Sequence, residues 1–303
     1  MKISKANLSK IENITFHTLN TALMLLLAFV TLYPFWNTIA VSLNEAVDTI
    51  RGGITFLPRK LSFYNYKVIF TTNAIFRAFI VSAARTIINM VTSVFFTAMI
   101  AYVLSRKQFT FRKPFTVLLV LSMYVNAGLI PTYFLMKNLG LIRSFLVYIV
   151  PGVIQAFNFV VIRTYLQTIP ESIIESVRID GGSDYTIFLK IIIPLSRPVL
   201  ATIALFVAVW SWNMWFDTMI YNSGEANLHT LQYKLMQYLQ SSQAQSRTAS
   251  DVGSMAMSQS SSVVTPVSIR ASITVIAALP ILVVYPFMQR HFVSGLNVGG
   301  VKE

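Results

Sequence analysis

Long apolar stretches alternate with short polar connections along most of the chain. Crossing about 30 Å of hydrocarbon takes about 20 mostly apolar residues, and six stretches reach that length. Backbone amides inside lipid must find internal partners, and these runs are too long for barrel strands, so each is predicted to be a helix. The predicted fold class is all-α, one polytopic membrane domain over 1–303 with six transmembrane helices. The predicted spans are 18–42, 80–104, 115–136, 145–166, 195–215 and 269–289.

The composition supports a membrane protein. The chain is 55% hydrophobic and 12% charged, whereas soluble domains carry about 25% charged residues. Lys2 to Lys10 lead into a stretch long enough to span, unlike a cleaved secretory signal, so the first span is expected to be retained. The net charge of +13 suits cytoplasmic loops that face anionic headgroups. No aromatic-interleaved basic stripe accompanies it, which argues against nucleic-acid binding.

Basic residues in the short loops predict the orientation. The connection 105–114 holds four basic residues and no acid, so it is predicted to be cytoplasmic, as are both termini. The external connection 43–79 is also basic, but longer loops translocate with less regard for charge. The basic residues of 105–114 are Arg106, Lys107, Arg112 and Lys113, and those near the termini include Lys2, Lys5, Lys10, Arg290 and Lys302.

Two connections are long, a cytoplasmic one at 167–194 and an external one at 216–268. The external one begins with apolar residues at helical spacing, which predict a short amphipathic helix. It continues into the serine-rich stretch 241–262, which is too polar to be expected to order itself alone. The apolar set is Leu228, Leu231, Leu235, Met236 and Leu239.

The cytoplasmic connection carries local signals for two short helices. Thr168 and Glu171 match a T-x-x-E capping box that would start the first helix, with Pro170 between them. Ile173, Ile174 and Val177 would share one side of that helix. The sequence Asp180-Gly181-Gly182 is predicted to end it, because glycine accepts the positive φ of a sharp reversal. Ser183 is predicted to cap the second helix with Asp184 in its first turn, and Pro194 and Pro198 mark entry into span five.

This helix, turn and helix exceeds what a connector needs, since connections between helices usually take two to eight residues. A surface for a cytoplasmic protein partner is the natural inference. An interfacial helix resting on lipid headgroups is the alternative, and the residues alone leave it open.

The same residues resemble a known family motif. Glu175-Ser176-Val177, then Gly181, then Ile191-x-Ile193-Pro194 is similar to the EAA loop of ABC importer permeases, E-A-A, three residues, G, nine residues, I-x-L-P. Asp180 and Pro198 resemble the carbohydrate-uptake branch, the maltose-type permeases, and the likeness runs from about residue 15 to 303. Ser176 and Val177 replace the usual alanines and Ile193 replaces leucine, which are small or apolar exchanges.

The resemblance implies a function and a set of partners. The loop 168–194 would dock in a cleft of a cytoplasmic ATPase subunit as the coupling helix between spans four and five, with Glu175 and Gly181 as coupling residues. Implied partners are two ATPase subunits that bind ATP and Mg, a second homologous permease subunit, and an extracytoplasmic sugar-binding protein facing 216–268, in a bacterial cytoplasmic membrane. The remaining coupling positions are Ser176, Val177, Asp180, Gly182, Ile191 and Pro194, and Gly295, Gly299 and Gly300 would form an extended tail at the ATPase.

The sequence offers no sign of enzymatic chemistry. It has no G-x-x-x-x-G-K-[ST] phosphate loop and no G-x-S-x-G elbow, so no catalytic residue and no bound cofactor are predicted. The three histidines lack metal-ligand spacing, and the chain has no cysteine. An ion-coupled secondary carrier or a channel is the main alternative, but it would ordinarily carry ionisable residues at membrane depth. Arg85, near the outer end of span two, is expected to snorkel outward.

Several uncharged polar and aromatic residues within the predicted spans are candidates for the substrate path. Amides beside ring faces suit sugars, yet amides also bridge helices and aromatic residues also form interfacial belts. For Trp212 and Trp215, a position in an interfacial aromatic belt is the favoured interpretation. The runs G-L-I-P-T-Y at 128–133 and W-S-W-N-x-W at 210–215 resemble permeases for oligosaccharides of plant or algal polysaccharides, including uronates. The candidates are Tyr124, Asn126, Gln155, Asn158, Phe159, Trp210 and Asn213.

Overall fold

Helices make up the regular structure of the described residues. The computed structural model describes residues 5–71, 73–125, 127–248 and 265–296, with the backbone alone in 5–12, 241–248 and 284–296. Within these ranges a single isolated antiparallel bridge, Asn44 with Leu61, is the only β pairing. The all-α prediction is therefore confirmed.

The helices follow the apolar stretches and add short pieces between them. They are α1 (Lys5–Ser42), α2 (Ala46–Ile50), α3 (Tyr64–Thr71), α4 (Asn73–Ser105), α5 (Arg112–Leu121), α6 (Leu129–Asn138), α7 (Ala156–Leu166), α8 (Glu171–Ile179), α9 (Asp184–Ile187), α10 (Ile193–Leu195), α11 (Arg197–Asn213), α12 (Phe216–Tyr221), α13 (Leu231–Thr248) and α14 (Pro266–Leu296). Three short 3₁₀ segments, Phe145–Tyr148, Val150–Gly152 and Ala226–Leu228, and a π-helical segment, Phe188–Ile192, complete the described set.

Three of the six predicted spans coincide with single helices of sufficient length, and two more coincide with bent helix pairs. Asn13–Ser42, Asn73–Ser105 and Pro266–Val283 are each long and apolar enough to cross a membrane. Two bent pairs raise the number to five if each is one span: Phe145–Gly152 with Ala156–Leu166, at 45°, and Asp184–Leu195 with Arg197–Asn213, at 81°. The stretch 115–136 instead contains two ten-residue helices, α5 and α6, separated by 122–128.

The chain divides into two compact units, and the first comprises Met1–Ile69 with Tyr238–Ile276. A buried polar network organises its connection after α1. The Asn44 side-chain amide donates to Asp48 Oδ2 at 3.0 Å and to Thr49 Oγ1 at 3.1 Å. Arg59 pairs with Asp48 at 2.9 Å. These contacts fix the loop that links α1 to α3.

The second unit comprises Phe70–Gln237 with Ala277–Glu303, and its core lies where α4 packs against α7 and α11. Phe159, Ile162 and Ile203 are fully buried there. Ile174 of α8 and Ile187 of α9 belong to the same apolar cluster. The connection 167–194 is therefore packed against this helix group.

The serine-rich stretch is helical over its first eight residues, where it continues α13 rather than ordering alone. Helix α13 continues through 241–248, while residues 249–264 lie outside the described ranges. Extending a helix that is already nucleated adds one hydrogen bond per residue fixed. Gln, Ala and Arg are adequate helix formers, so the polar composition did not prevent the helix from propagating.

His229, just before α13, gives a pH-dependent prediction. Burial lowers the pKa of its imidazole, and its Nε2 lies 3.0 Å from the Ser223 carbonyl oxygen. The Ser223 hydrogen bond raises the pKa, but burial outweighs it, so the folded segment favours the neutral ring. This stabilisation is complete above the unfolded pKa of about 6.5 and is lost as the pH falls through the lower folded pKa. Lys234 is the charged group that adds to this preference.

Amide hydrogen exchange over 222–233, corrected for its intrinsic pH dependence, is expected to accelerate several-fold between about pH 7 and about pH 5. His229→Gln should remove that acceleration. An equal acceleration in His229→Gln would show that another group is responsible.

Candidate functional site

The first helix of the connection 167–194, α8, begins two residues later than the capping box requires. Its N-cap is Pro170, without a side-chain cap, and Glu171 lies in the first turn. The Thr168 hydroxyl donates to the Tyr165 carbonyl at 2.8 Å, because Thr168 lies in the turn that closes the end of α7. The predicted capping box is therefore wrong. Glu171 instead faces Lys107 of the basic connection, 3.5 Å away.

Helix α8 is amphipathic across its short length. Ile174 is buried, and Val177 packs beside it against the apolar cluster. Glu175 and Ser176 are exposed. Ile173, predicted to share the buried side, is 37% exposed. One face therefore attaches α8 to the helix group, and the other is presented outward.

The turn that ends α8 is a Schellman motif, as the Asp-Gly-Gly sequence predicts. Gly182 N–H donates to the Val177 carbonyl at 2.8 Å, and Gly181 N–H donates to the Arg178 carbonyl at 3.0 Å. Gly181 has φ +81°, and a Cβ there would meet no atom within 4 Å. A Cβ on Gly182 would lie 2.9 Å from the Val177 carbonyl oxygen. The two glycines are thus required for different reasons, one for φ and one for space.

The second helix, α9, begins as predicted. Ser183 is its N-cap, and the Ser183 hydroxyl accepts from Thr186 N–H at 3.2 Å. Asp184 in the first turn pairs with Arg178 of α8 at 2.8 Å, and this hydrogen bond raises the pKa of the Arg178 guanidinium. Arg178 also donates to Gln108 at 2.6 Å. Arg178 therefore ties the two helices to each other and to the connection 105–114.

The rest of the motif lies on the helical segment Asp184–Leu195. Its π-helical part includes Ile191, and Phe188 there packs against Tyr102 of α4, with ring centroids 5.6 Å apart. Pro194 lies just before the 81° bend into α11. Pro198, in the first turn of α11, cannot donate a backbone hydrogen bond, which accounts for a break at this point.

The outward face of the turn combines acidic and apolar groups. Glu175 and Asp180 are exposed. Ile179 is 86% exposed and Tyr185 is 65% exposed. The exposed Ile179 and Tyr185 make this face a candidate surface for docking a protein partner.

The candidate path residues are dispersed. Gln155 lies at the break between the two halves of the fourth stretch, and its side-chain oxygen accepts from the Asn158 amide at 3.1 Å. Phe159 is fully buried in the apolar cluster. Tyr124 and Trp210 are 81% and 42% exposed. The Asn213 side chain is exposed and donates to the Val209 carbonyl, and Asn126 lies outside the described residues.

Sequence reasoning missed a buried polar row along α4. Its members recur every three or four residues and each is at most 1% exposed: Ser82, Arg85, Asn89, Ser93 and Thr97. The Ser82 hydroxyl accepts from Leu231 N–H at 2.8 Å, and the Asn89 amide donates to the Ser211 hydroxyl at 2.6 Å. The row faces α11 and the segments beside it, and its helical spacing was the available signal.

Two expectations about this region are wrong. Arg85 does not snorkel outward, because it is fully buried and forms an ion pair with Asp217. Trp212 does not belong to an interfacial belt, because it is 6% exposed and its Nε1 donates to the Ala277 carbonyl at 2.8 Å. Both side chains found partners distant in sequence.

The predicted C-terminal tail is only partly described. Helix α14 continues to Leu296, so Gly295 is helical. The prediction of an extended backbone at Gly295 is therefore wrong. Gly299 and Gly300 lie outside the described residues. Among the described residues, no group of three or more His, Cys, Asp or Glu side chains could hold a metal ion.

The helices of spanning length indicate a multi-pass membrane protein. No protein-family model matches it. It is 35% identical over 291 residues to the polygalacturonan/rhamnogalacturonan transport system permease protein YtcP of Bacillus subtilis (strain 168), covering 96% of this chain and 99% of the relative. It is 27% identical to an arabinooligosaccharides transport system permease protein, AraQ, of Halalkalibacterium halodurans, covering 91% and 93%.

The solved structures agree with these relatives. The chain superposes on a bacterial ABC transporter involved in the import of the acidic polysaccharide alginate, with a TM-score of 0.82 and 26% identity, covering 96% of this chain and 99% of that one. The chain therefore belongs to the permease proteins of sugar ABC transport systems, as the EAA-like motif indicated.

Proposed function

We propose that this chain is a permease subunit of a binding-protein-dependent importer for uronate-containing oligosaccharides. One relative named above is a polygalacturonan/rhamnogalacturonan transport permease, and the superposed transporter is involved in the import of alginate. Polygalacturonan and alginate are acidic polysaccharides. The observation that carries the proposal is the rigid turn at Gly181, which presents Ile179 and Glu175 outward beside the basic connection. A secondary carrier would have no need of such a surface.

The proposed topology has six spans with both termini in the cytoplasm. The helices and bent pairs of spanning length support five of the spans, and α5 and α6 together would form the broken third one. The basic connection 105–114 would then face the cytoplasm with α8 and α9, and the segment between α11 and α14 would face outside. The site of action is the cytoplasmic membrane of a bacterium.

The proposed partners supply what this chain lacks. Two cytoplasmic ATPase subunits would bind and hydrolyse ATP with Mg, a second homologous permease subunit would complete the path, and an extracytoplasmic binding protein would deliver the sugar. Residues from Glu175 to Gly182, with Ile191 and Pro194, would form the coupling element in an ATPase cleft. The C-terminal segment containing Gly299 and Gly300 would lie near the same subunits.

The proposed mechanism is alternating access. Closure of the ATPase dimer displaces α8 and α9, and the segment Asp184–Leu195 passes that displacement to α11 across the 81° bend. Gln155, half-buried at the break beside α7, is the candidate path residue whose amide is best placed to meet sugar hydroxyls, whereas Asn158 is buried and donates to Gln155. The buried position of Phe159 favours a packing role.

Reconstitution tests this proposal. The four-component complex in proteoliposomes is expected to take up digalacturonate only when both the binding protein and ATP are supplied. Glu175→Ala should reduce uptake about tenfold, since coupling between sites is typically worth 1–3 kcal/mol, while yield and helical content stay unchanged because Glu175 is exposed.

Ser172→Ala, a change of another exposed residue of the same helix, is the matched control and should leave uptake intact. Uptake by the permease subunits alone, without ATP, would establish a secondary carrier or channel instead.

A further inference from the structure

A buried guanidinium joins α4 to the chain that follows α11. Arg85 Nη1 donates to Asp217 Oδ1 at 3.1 Å, and Nη2 donates to Asp217 Oδ2. Nη1 also donates to the Met214 carbonyl at 2.9 Å. The guanidinium carbon lies 4.7 Å from the centre of the Tyr148 ring. A two-pronged ion pair stacked on an aromatic ring fixes both position and orientation.

This pair spans a break in the helix. Helix α11 ends at Asn213, Met214 is extended with ψ 119°, and α12 begins at Phe216. Asp217 lies in the first turn of α12, where its Oδ1 also accepts from Thr218 N–H at 2.7 Å. Arg85 therefore holds the carbonyl at the break and the carboxylate beyond it. Without Arg85, the extended residue Met214 would be free to act as a joint between α11 and α12.

Helices α4 and α11 are also joined by a second buried contact. The Asn89–Ser211 hydrogen bond of 2.6 Å lies one turn further along α4. At its other end, α11 follows the 81° bend after Asp184–Leu195, the segment that begins at the coupling turn. The inner end of α11 thus adjoins the coupling element, and its outer end is fastened by Arg85.

Stability alone gives little reason for such a pair. Burying two charges costs solvation that their attraction only partly returns, and well-packed apolar residues often serve as well. Of the Lys and Arg side chains whose burial is described, Arg85 alone is buried. What an ion pair adds over apolar packing is a defined geometry.

We propose that the Arg85–Asp217 pair is a clamp that makes α4, α11 and α12 move as one body. Displacement of the coupling turn then reaches the external segment 216–237 instead of being absorbed by bending at Met214. The clamp's role rests on the proposed function. Arg85 and Asp217 are positioning residues, since they act on the orientation of α12 and not on the sugar.

Spin labels can test the clamp directly, because the native chain has no cysteine. Labels at Ile80→Cys on α4 and Ser223→Cys just after α12, both exposed positions, report the distance across the clamp in the assembled transporter. The distance distribution is expected to be narrow and identical in the nucleotide-free and the ATP–vanadate states. Arg85→Gln should broaden it and make it depend on nucleotide, and Arg85→Asp combined with Asp217→Arg should narrow it again.

Transport activity is expected to change in parallel with the spin-label distance. Arg85→Gln is expected to lower ATP-driven digalacturonate uptake about tenfold while ATP hydrolysis continues, and the charge-swapped pair should recover most of the loss. Asp217→Asn, which keeps the shape of the side chain, serves if Arg85→Gln fails to fold. Lys137→Gln, at an exposed position, is the control and should change neither measurement.

Three results would overturn the clamp: a wild-type distance that shifts with nucleotide, a distribution in both single variants as narrow as in the wild type, or no recovery by the charge swap. ATP-independent uptake by the wild-type complex would overturn the proposed function itself, and the role of the clamp with it.

Discussion

Gly181→Pro is expected to reduce ATP-driven uptake about a hundredfold. Gly181 adopts φ +81°, which proline cannot reach, and proline would also remove the N–H that donates to the Arg178 carbonyl. A misplaced proline costs about 3 kcal/mol, and at 1.36 kcal/mol per factor of ten that leaves about one per cent of the molecules with the native turn. The turn orients Ile179 and Asp180, so the docking surface is lost with it.

A graded series makes this prediction specific. Gly181→Ala should reduce uptake about tenfold, because the new methyl group meets no neighbour and only the left-handed backbone is penalised, by about 1–2 kcal/mol. Gly224→Ala, also in open space and without positive φ, should be neutral. Uptake and ATP hydrolysis in proteoliposomes are the measurements. Equal uptake by the alanine and proline variants would contradict the role given to the turn.

Ile179→Asp is expected to weaken binding of the ATPase subunits at least about a hundredfold. The side chain is 86% exposed in the free chain, so the substitution leaves the fold intact. Burying an isoleucine at an interface contributes about 1.5–3 kcal/mol, and an aspartate in its place would add an unpaired buried charge. Titration of detergent-solubilised permease with ATPase subunits measures the change.

Leu57→Asp is the matched control. Leu57 is 72% exposed but lies in the connection 43–79, which is predicted to be external. It should leave ATPase binding unchanged. If Ile179→Asp bound the ATPase as tightly as Leu57→Asp, the outward face of the coupling turn could not be the docking surface.

The helix–turn–helix at 168–194 was predictable because its signals are local. The Ser183 cap and the Asp-Gly-Gly turn each depend on residues within a few positions of one another, and the structure contains both. The apolar side of α8 holds Ile174 and Val177 as predicted, but Ile173 is exposed. The capping box failed for an equally local reason: Thr168 lies in the turn that follows α7, where its hydroxyl donates to the Tyr165 carbonyl.

The failures elsewhere came from contacts distant in sequence. Arg85 was predicted to snorkel towards water, but its ion-pair partner Asp217 lies 132 positions away in the sequence. Trp212 was predicted to be interfacial, yet the Ala277 carbonyl accepts its hydrogen bond.

The stretch 115–136 failed for a different reason. It is apolar on average, but Gly128, with φ +85°, lies at the start of a new helix. Apolar character averaged over a window of residues does not detect such a break.

The central claim is that the turn at residues 179–182 contacts an ATPase subunit inside the cell. A benzophenone photocrosslinker placed at position 179, and separately at position 139, where Leu139 is 57% exposed on a connection predicted to be external, tests it in the assembled transporter. Crosslinking to the ATPase from position 179 and not from position 139 is the predicted result. Crosslinking to the ATPase from position 139, with none from 179, would contradict both the coupling role and the orientation.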